Sequence, residues 1–329
     1  MTARSKPFSA DILKLDVATE AERIVHWMRS ELRNGLRKRG LVLGLSGGID
    51  SSVCAALATR AVGPDRVFCL YMPERDSDPE SLRLGQDVAS AFGLSGAIED
   101  IGPMLDAMGC YERRDAFIRQ VVPDYGEGWT SKIVIDNALT TKAYNISSLV
   151  IRRPDRQIEK HRLPPDVYLG IVAATNMKQR TRKQLEYYHA DRLNFAVLGT
   201  PNRLEYDQGF FVKNGDGAAD IKPIAHLYKS QVYQLAEYLG IPCSIRCRTP
   251  TTDTYSLPQT QEEFYFALPY REMDLCLYGL NNGIPAAKVA TACRLSERQV
   301  GLVWRDITAK RKVARYLQLP PLLIEEELE

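Results

Sequence analysis

The stretch Gly44-Leu45-Ser46-Gly47-Gly48-Ile49-Asp50-Ser51-Ser52 concentrates residue types that bind anionic oxygen. Adjacent glycines let the backbone approach a ligand, while Ser46, Ser51, Ser52 and the amides of a starting helix supply hydrogen-bond donors. The pattern reads as a phosphate cradle, distinct from the Lys-containing P-loop and from spaced GxGxxG. Asp50 would repel phosphate unless a hard cation such as Mg²⁺ sat between them; alternatively it only complements the helix dipole. Downstream, Thr200 and Glu205 follow the end of a strand, where Glu205 could complete a Mg²⁺ site with Asp50. Lys213 and Lys229 offer compact cations for phosphate, and Asp216 and Asp220, on a Gly-rich loop, suit sugar hydroxyls or an amide. Taken singly, each of these four reads better as a solvated surface charge; together, at this spacing, they read as a site.

These residues need a frame. Apolar runs Leu41 to Leu45 and Val67 to Tyr71 flank a helical stretch, Ser51 to Arg60, and Phe195 to Gly199 reads as a third strand. Helical periodicity over Glu20 to Leu36, Ser81 to Phe92 and Lys178 to Leu193 covers the faces of such a sheet. The pattern predicts a doubly wound α/β core with a mostly parallel sheet, spanning 1–283. An inserted subregion at about 107–169 interrupts it, with a hairpin-like Tyr144 to Ile151, a polar turn at Pro154 and Asp155, and a basic stretch Arg152 to Arg162. That insert either reshapes a groove between two copies or decorates the surface. The segment 284–329 reads as basic and helical up to Pro320 and Pro321, then as an acidic tail, Glu325 to Glu329, completing the core or a dimer.

The 329 residues, 45% hydrophobic, suffice for a sizeable core, and 43 Lys plus Arg against 41 Asp plus Glu give no bulk field for nucleic acid or membrane. Met1 to Ala10 has no signal-like apolar core, and no apolar run approaches the roughly 18 residues of a membrane span. Seven scattered cysteines without a CxxC pair favour free thiols, so a soluble cytoplasmic protein is expected.

Ser46 to Ser51 resembles the signature of the ATP pyrophosphatase superfamily, whose members adenylate a substrate oxygen and release pyrophosphate. Asn176 to Arg182, Leu198 to Glu205 and Gly209 to Ile224 resemble successive motifs of the ammonia-dependent NAD synthetases. Leu227 to Lys229, Thr249 to Asp253 and Gln259 to Tyr270 extend the match. The resemblance implies the adenine nucleotide α-hydrolase (Rossmann-like) fold, a homodimer, and amidation of deamido-NAD to NAD with ATP, Mg²⁺ and ammonia through an acyl-adenylate. It implies ATP on Gly44 to Ser52, Thr200, Lys229 and Thr251, with Met72 to Arg75 beside the adenine, and Mg²⁺ on Asp50 and Glu205. Deamido-NAD would contact Arg180, Lys213, Asp220 and Lys310. Asp50, Lys213, Asp216 and Lys229 form the expected catalytic set, with Asp216 or Asp220 taking the proton of ammonia. The chain departs from the family at Val212, where Thr is usual, at Ala309, where His is common, and at Phe264 to Phe266. About 40 residues precede the phosphate loop, so no glutaminase domain is expected and ammonia is free or supplied by a partner. Two rivals remain open at this level: a sulfur transferase using Cys243 and Cys247, and a DNA-binding regulator in which Ala290, Leu295 and Val300 pack a helix-turn-helix over Pro285 to Ile307.

Overall fold

The computed structural model describes residues 8–135, 147–252, 254–266 and 268–324. From the N-terminal side, α1 (Val17–Ser30) leads to β1 (Leu41–Gly44), α2 (Ile49–Val62), β2 (Val67–Tyr71), α3 (Pro79–Phe92) and β3 (Ser95–Ile98). Next come α4 (Gly102–Ala107), α5 (Cys110–Arg119), β4 (Thr130–Ile135), β5 (Ser147–Arg152) and β6 (Ile158–Arg162). The long α6 (Pro165–Leu193) returns to β7 (Ala196–Val197), followed by α7 (Arg203–Gln208), α8 (Lys229–Tyr238) and α9 (Cys243–Arg246). Three helices close the chain: α10 (Tyr270–Asn281), α11 (Ala286–Cys293) and α12 (Glu297–Gln318).

The main sheet is parallel in the order β3-β2-β1-β7, with Leu41 beside Val67 on one side and Ala196 on the other. Its central strands are apolar on both faces because helices cover both. Leu41, Leu43 and Leu45 join the core formed with α1, α2, α3 and α8, whereas Val42, Leu70 and Val197 pack toward α6. This is the doubly wound α/β arrangement expected from the sequence. The helix read as Glu20 to Leu36 is α1 followed by a wide turn, Glu31–Gly35, and the helix read from Lys178 begins 13 residues earlier, at Pro165.

The inserted region forms its own antiparallel sheet, β4-β5-β6. Its hairpin pairs Ser148 with Arg162 and Arg152 with Ile158 across the turn at Pro154 and Asp155. Tyr144 to Ile146 of the expected hairpin lie outside the described residues, as do Asp253 and the tail Glu325 to Glu329. The sheet shares a core with α6 and with Tyr255 and Phe264 from the C-terminal half. In the C-terminal segment, Val289, Ala290, Val300, Val303 and Ile307 are buried against α10, so the α11–α12 pair closes a second core. Arg294, at the end of α11, takes the left-handed conformation with φ 56°.

A buried ionic knot fixes the loop after β2. Lys178 on α6 is fully buried and donates to Glu74 Oε1 (2.9 Å), Asp76 Oδ2 (2.7 Å) and the Thr254 carbonyl (2.9 Å). Arg114 on α5 pairs with the same Asp76 carboxylate at 2.5 Å, and Tyr111 donates to Glu74 Oε2 at 2.8 Å. Burial alone would raise the pKa of Asp76, but Lys178 and Arg114 more than reverse this and hold it below the ordinary carboxylate value. Removing Lys178 would leave Glu74 buried without a cation and Asp76 with Arg114 alone, so Lys178→Met should lose about 3–5 kcal/mol in urea denaturation. The depressed pKa of Asp76 contributes stability above its unfolded value that is lost as pH falls through the folded one. The cost of Asp76→Asn should therefore be greatest near neutrality and shrink below about pH 4 in the same denaturation assay.

Candidate active site

β1 ends at Gly44, and the chain turns through Leu45 to Gly48 into α2 at the C-terminal edge of the parallel sheet. Gly47 has φ +71°, and a Cβ there would lie 2.6 Å from Leu84 Cβ and 2.8 Å from the Ser81 carbonyl oxygen. Both backbone conformation and space therefore require glycine. No side chain caps α2 at Gly48, which leaves the positive end of this 14-residue helix to a ligand. Ser51 and Ser52 both donate to the Gly48 carbonyl, at 3.0 and 2.8 Å, and Ser52 is fully buried. Ser46 Oγ lies 3.3 Å from Ser51 Oγ at the mouth of the turn.

Asp50, on the first turn of α2, does more than complement a dipole. Its Oδ1 accepts from Asn202 Nδ2 at 3.0 Å and its Oδ2 is paired with Lys229 Nζ. Asn202 is the N-cap of α7: its side-chain oxygen accepts the Glu205 amide (3.3 Å), while Glu205 Oε2 accepts the Asn202 amide (3.1 Å), a reciprocal capping box. One asparagine thus ties Asp50 to Glu205. Gln261 Nε2 donates to the other Glu205 oxygen, Oε1, at 2.9 Å.

Lys229 opens α8, and the start of that helix is held from α10 by Asp274. Its carboxylate accepts the Lys229 amide at 3.2 Å, the Ser230 amide at 2.7 Å and the Ser230 hydroxyl. Burial pushes Asp274 up to about 7 against these hydrogen bonds. Glu205 is raised to about 7 as well, first by burial and then by the like charge of Asp50, with Lys229 opposing. For Lys229, burial alone would lower the pKa, but the Asp50 and Glu205 carboxylates more than offset it and raise it.

The donor set fits a hard divalent cation. Asp50 and Glu205 supply carboxylate oxygens beside a glycine turn, with Lys229 as the cation next to them, and Mg²⁺ typically takes one or two carboxylates plus substrate phosphates. No cluster of three or more His, Cys, Asp or Glu suited to a metal occurs among the described residues, so an all-protein cage is not what the cleft offers.

These groups line a cleft of about 1520 Å³. Gly44 to Ser51, Thr200, Glu205, Lys229 and Thr251 share its wall with Arg75, Asp216 and Lys310. Arg75 stacks on the Tyr111 ring at 3.7 Å. Burial raises the pKa of Asp216, whose Oδ1 accepts the Val212 amide at 2.7 Å. Lys310 is pushed down by burial, against the pull of Asp306 at 2.6 Å.

Other nominated residues do not line this cleft within one chain. Ser52 is spent on the Gly48 carbonyl. Arg180 is exposed and donates to the Lys213 carbonyl (3.2 Å), while Lys213 Nζ binds the carbonyls of Tyr316 (3.0 Å) and Leu319 (3.3 Å) at the end of α12. Asp220 accepts the Val197 amide at 2.7 Å and the Tyr187 hydroxyl at 3.3 Å, a bond to the sheet edge. Of the two aspartates considered as proton acceptors, only Asp216 is in the cleft wall. Cys243 and Cys247, the thiols of the sulfur-transfer alternative, are exposed, with Sγ atoms 2.8 Å apart, and are not part of the wall either. Sequence reasoning assigned no role to Asn202, Gln261 or Asp274; only the Asn-x-x-Glu capping pattern at 202–205 signalled one of them.

The fold and site together define a doubly wound α/β protein with a glycine turn, an uncapped helix start and a pair of carboxylates on the C-terminal edge of the sheet, the edge where such folds bind ligands. The chain belongs to the NAD synthase family, whose model matches residues 20–121 and 129–317. It is 72% identical over 324 residues to the NH(3)-dependent NAD(+) synthetase of Rhizobium meliloti (strain 1021), covering 98% of this chain and 97% of that one. It is 58% identical over 315 residues to the enzyme of the same name from Mesorhizobium japonicum, covering 96% and 99%. Among solved structures, an NMN synthetase from Francisella tularensis (TM-score 0.65, 22% identity, 95% of this chain and 100% of that one) shares its fold. So does the NH3-dependent NAD synthetase from Campylobacter jejuni (TM-score 0.61, 22% identity, 94% and 100%).

The two adjacent glycines of the loop make opposite demands. Gly48 has φ −78° and its nearest neighbour to an added Cβ is Ser46 Oγ at 3.4 Å. Gly47→Ala should therefore cost about 1–3 kcal/mol and at least tenfold in nucleotide affinity, whereas Gly48→Ala should keep the native melting temperature. Thermal melts and nucleotide titrations of the two variants compare them directly.

Proposed function

We propose that this chain amidates deamido-NAD to NAD with ammonia, using ATP to form an acyl-adenylate and releasing AMP and pyrophosphate. The observation that carries this reading is the meeting of an uncapped helix start, two carboxylates and a buried lysine around one cleft. Membership of the NAD synthase family and curated relatives of matching length support it.

In this reading the polyphosphate lies on the loop Gly44 to Ser51 and the start of α2, with Thr200 and Thr251 in the wall of the same cleft. Asp50 and Glu205 would hold Mg²⁺, which when bound neutralises polyphosphate charge. Lys229 stands beside Asp50 with its charge secured by both carboxylates, so it can stabilise the departing pyrophosphate without being deprotonated. The substrate carboxylate attacks the α-phosphorus, and ammonia then displaces AMP from the acyl carbon. No side-chain nucleophile is needed; catalysis rests on positioning and charge. Asp216, half-buried in the wall with a raised pKa, is suited to take the proton that ammonia loses.

Lys310 contacts deamido-NAD from the C-terminal segment, and Arg75 sits beside the adenine. Arg180 contributes through a homodimer, since it is exposed away from the single-chain cleft. No described helix is long and apolar enough to cross a membrane, and the seven cysteines are free. A cytoplasmic setting is consistent with both.

Asp50→Ala and Glu205→Ala should each abolish pyrophosphate release at an unchanged circular dichroism spectrum; full activity in either would remove the cation assignment. The nitrogen source is testable on the same assay. His161, His189 and His226 are engaged with Glu159, Glu99 and Glu20, and burial pushes Cys54, Cys69 and Cys110 up, so no thiolate poised to hydrolyse glutamine is evident among these groups. Turnover is expected with ammonium, rising with pH as the neutral base accumulates, and negligible with ammonium-free glutamine; comparable rates with glutamine at pH 7 would contradict this.

A further inference from the structure

The inserted sheet lines the cleft directly through Ile133, Ile135, Ser147 and Arg162, and it also bonds a second stretch of the wall, the segment 249–266. That segment doubles back on itself: Thr251 bridges Thr260, and the Thr252 amide and hydroxyl bond the main-chain and side-chain oxygens of Gln259, each at 3.1 Å. One arm places Thr251 in the cleft wall, and the other carries Gln261 to Glu205 Oε1. β4 is an edge strand, and its free edge takes this segment. The Leu257 amide donates to the Ser131 carbonyl (3.2 Å) and the Ser131 amide to Ser256 Oγ (2.9 Å). Lys132 Nζ donates to the Pro258 carbonyl (3.0 Å) and to Glu263 Oε2 (2.9 Å), and the buried Gln259 side chain donates to the Ile133 carbonyl. Tyr255 and Phe264, flanking these bonds, are packed in the core of the inserted sheet.

We propose that the inserted sheet is a clamp for the cation site: β4 fixes the segment 249–266, and Gln261 is thereby a positioning residue for Glu205. The inference rests on the reading of Asp50 and Glu205 as metal ligands. Each Glu205 oxygen accepts one protein hydrogen bond, from the Asn202 amide and from Gln261, and a carboxylate oxygen has a second lone pair left for a cation. Gln261 orients the ligand without adding charge beside Asp50. Partners of this kind, one shell out from a metal, typically cost 10- to 100-fold in metal affinity when removed. A sheet that merely covered surface would have no such lever on the site.

The test measures Mn²⁺ binding by the electron paramagnetic resonance of free Mn²⁺, in the presence of α,β-methylene-ATP, on the full chain. Gln261→Leu is expected to weaken Mn²⁺ binding by about tenfold while leaving metal-free nucleotide affinity unchanged. Lys132→Met alters no atom of the cleft wall, yet should weaken Mn²⁺ in the same direction by a smaller factor. The double variant should be no weaker than Gln261→Leu alone, because both act through one contact. Wild-type Mn²⁺ affinity in a folded Gln261→Leu protein would overturn the positioning role. A Lys132→Met protein with a lowered melting temperature but unmoved Mn²⁺ affinity would overturn the clamp. Glu205→Gln separates the layers: unchanged Mn²⁺ binding there removes the metal reading itself. Loss there, with none in Gln261→Leu, overturns this inference alone.

Discussion

Two carboxylates, Asp50 and Glu205, are drawn together at the end of the parallel sheet and share one buried lysine. Asn202 makes this arrangement by bonding both, and burial raises the cost of the charge. In water such a cluster would be unremarkable, but inside the protein like charges with a single counter-ion are unfavourable unless something positive joins them. In the proposed reading, a cation delivered with polyphosphate would relieve that cost.

Much of the remaining structure serves that cluster. The parallel sheet sets the loop Gly44 to Gly48 and the strand end before Thr200 side by side. α10 reaches across with Asp274 to fix the first residues of α8, and so the place of Lys229. The Lys178 knot fixes the loop after β2, on which Arg75 faces the cleft. Regions far apart in the chain, and in separate hydrophobic cores, therefore converge on a few polar atoms. Any of these supports can fail without touching a residue that contacts substrate.

The sequence made the frame legible because its signals are local. Apolar runs bounded by Ser-Gly-Gly marked β1, the turn and α2, and the apolar run Phe195 to Gly199 marked the strand ahead of Thr200. What it could not give depends on contacts between distant segments. Gln261 meets Glu205 across 56 residues as an uncharged side chain, so neither charge nor spacing draws attention to it. Asp220 has the type and neighbourhood of a ligand contact, yet its carboxylate is spent on the Val197 amide. The front of α6 buries Val167, Ile171, Ala174, Thr175 and Lys178 at helical spacing, but the exposed Leu169 and the half-buried Tyr168 and Val172 spread apolar residues beyond that face and blurred the end of the insert. The insert, read as decoration or groove, bonds through β4 to the segment that carries Gln261, a contact between distant segments that no local pattern signals.

The central claim is that this cleft directs the substrate carboxylate to the α-phosphorus of ATP. Turnover with deamido-NAD carrying oxygen-18 in its carboxylate, followed by mass spectrometry of the AMP formed, tests it most directly. One heavy oxygen in AMP, with unlabelled pyrophosphate, is the predicted result, because the bond broken by ammonia lies between the acyl carbon and that oxygen. Unlabelled AMP, or the label in inorganic phosphate alongside ADP, would contradict it.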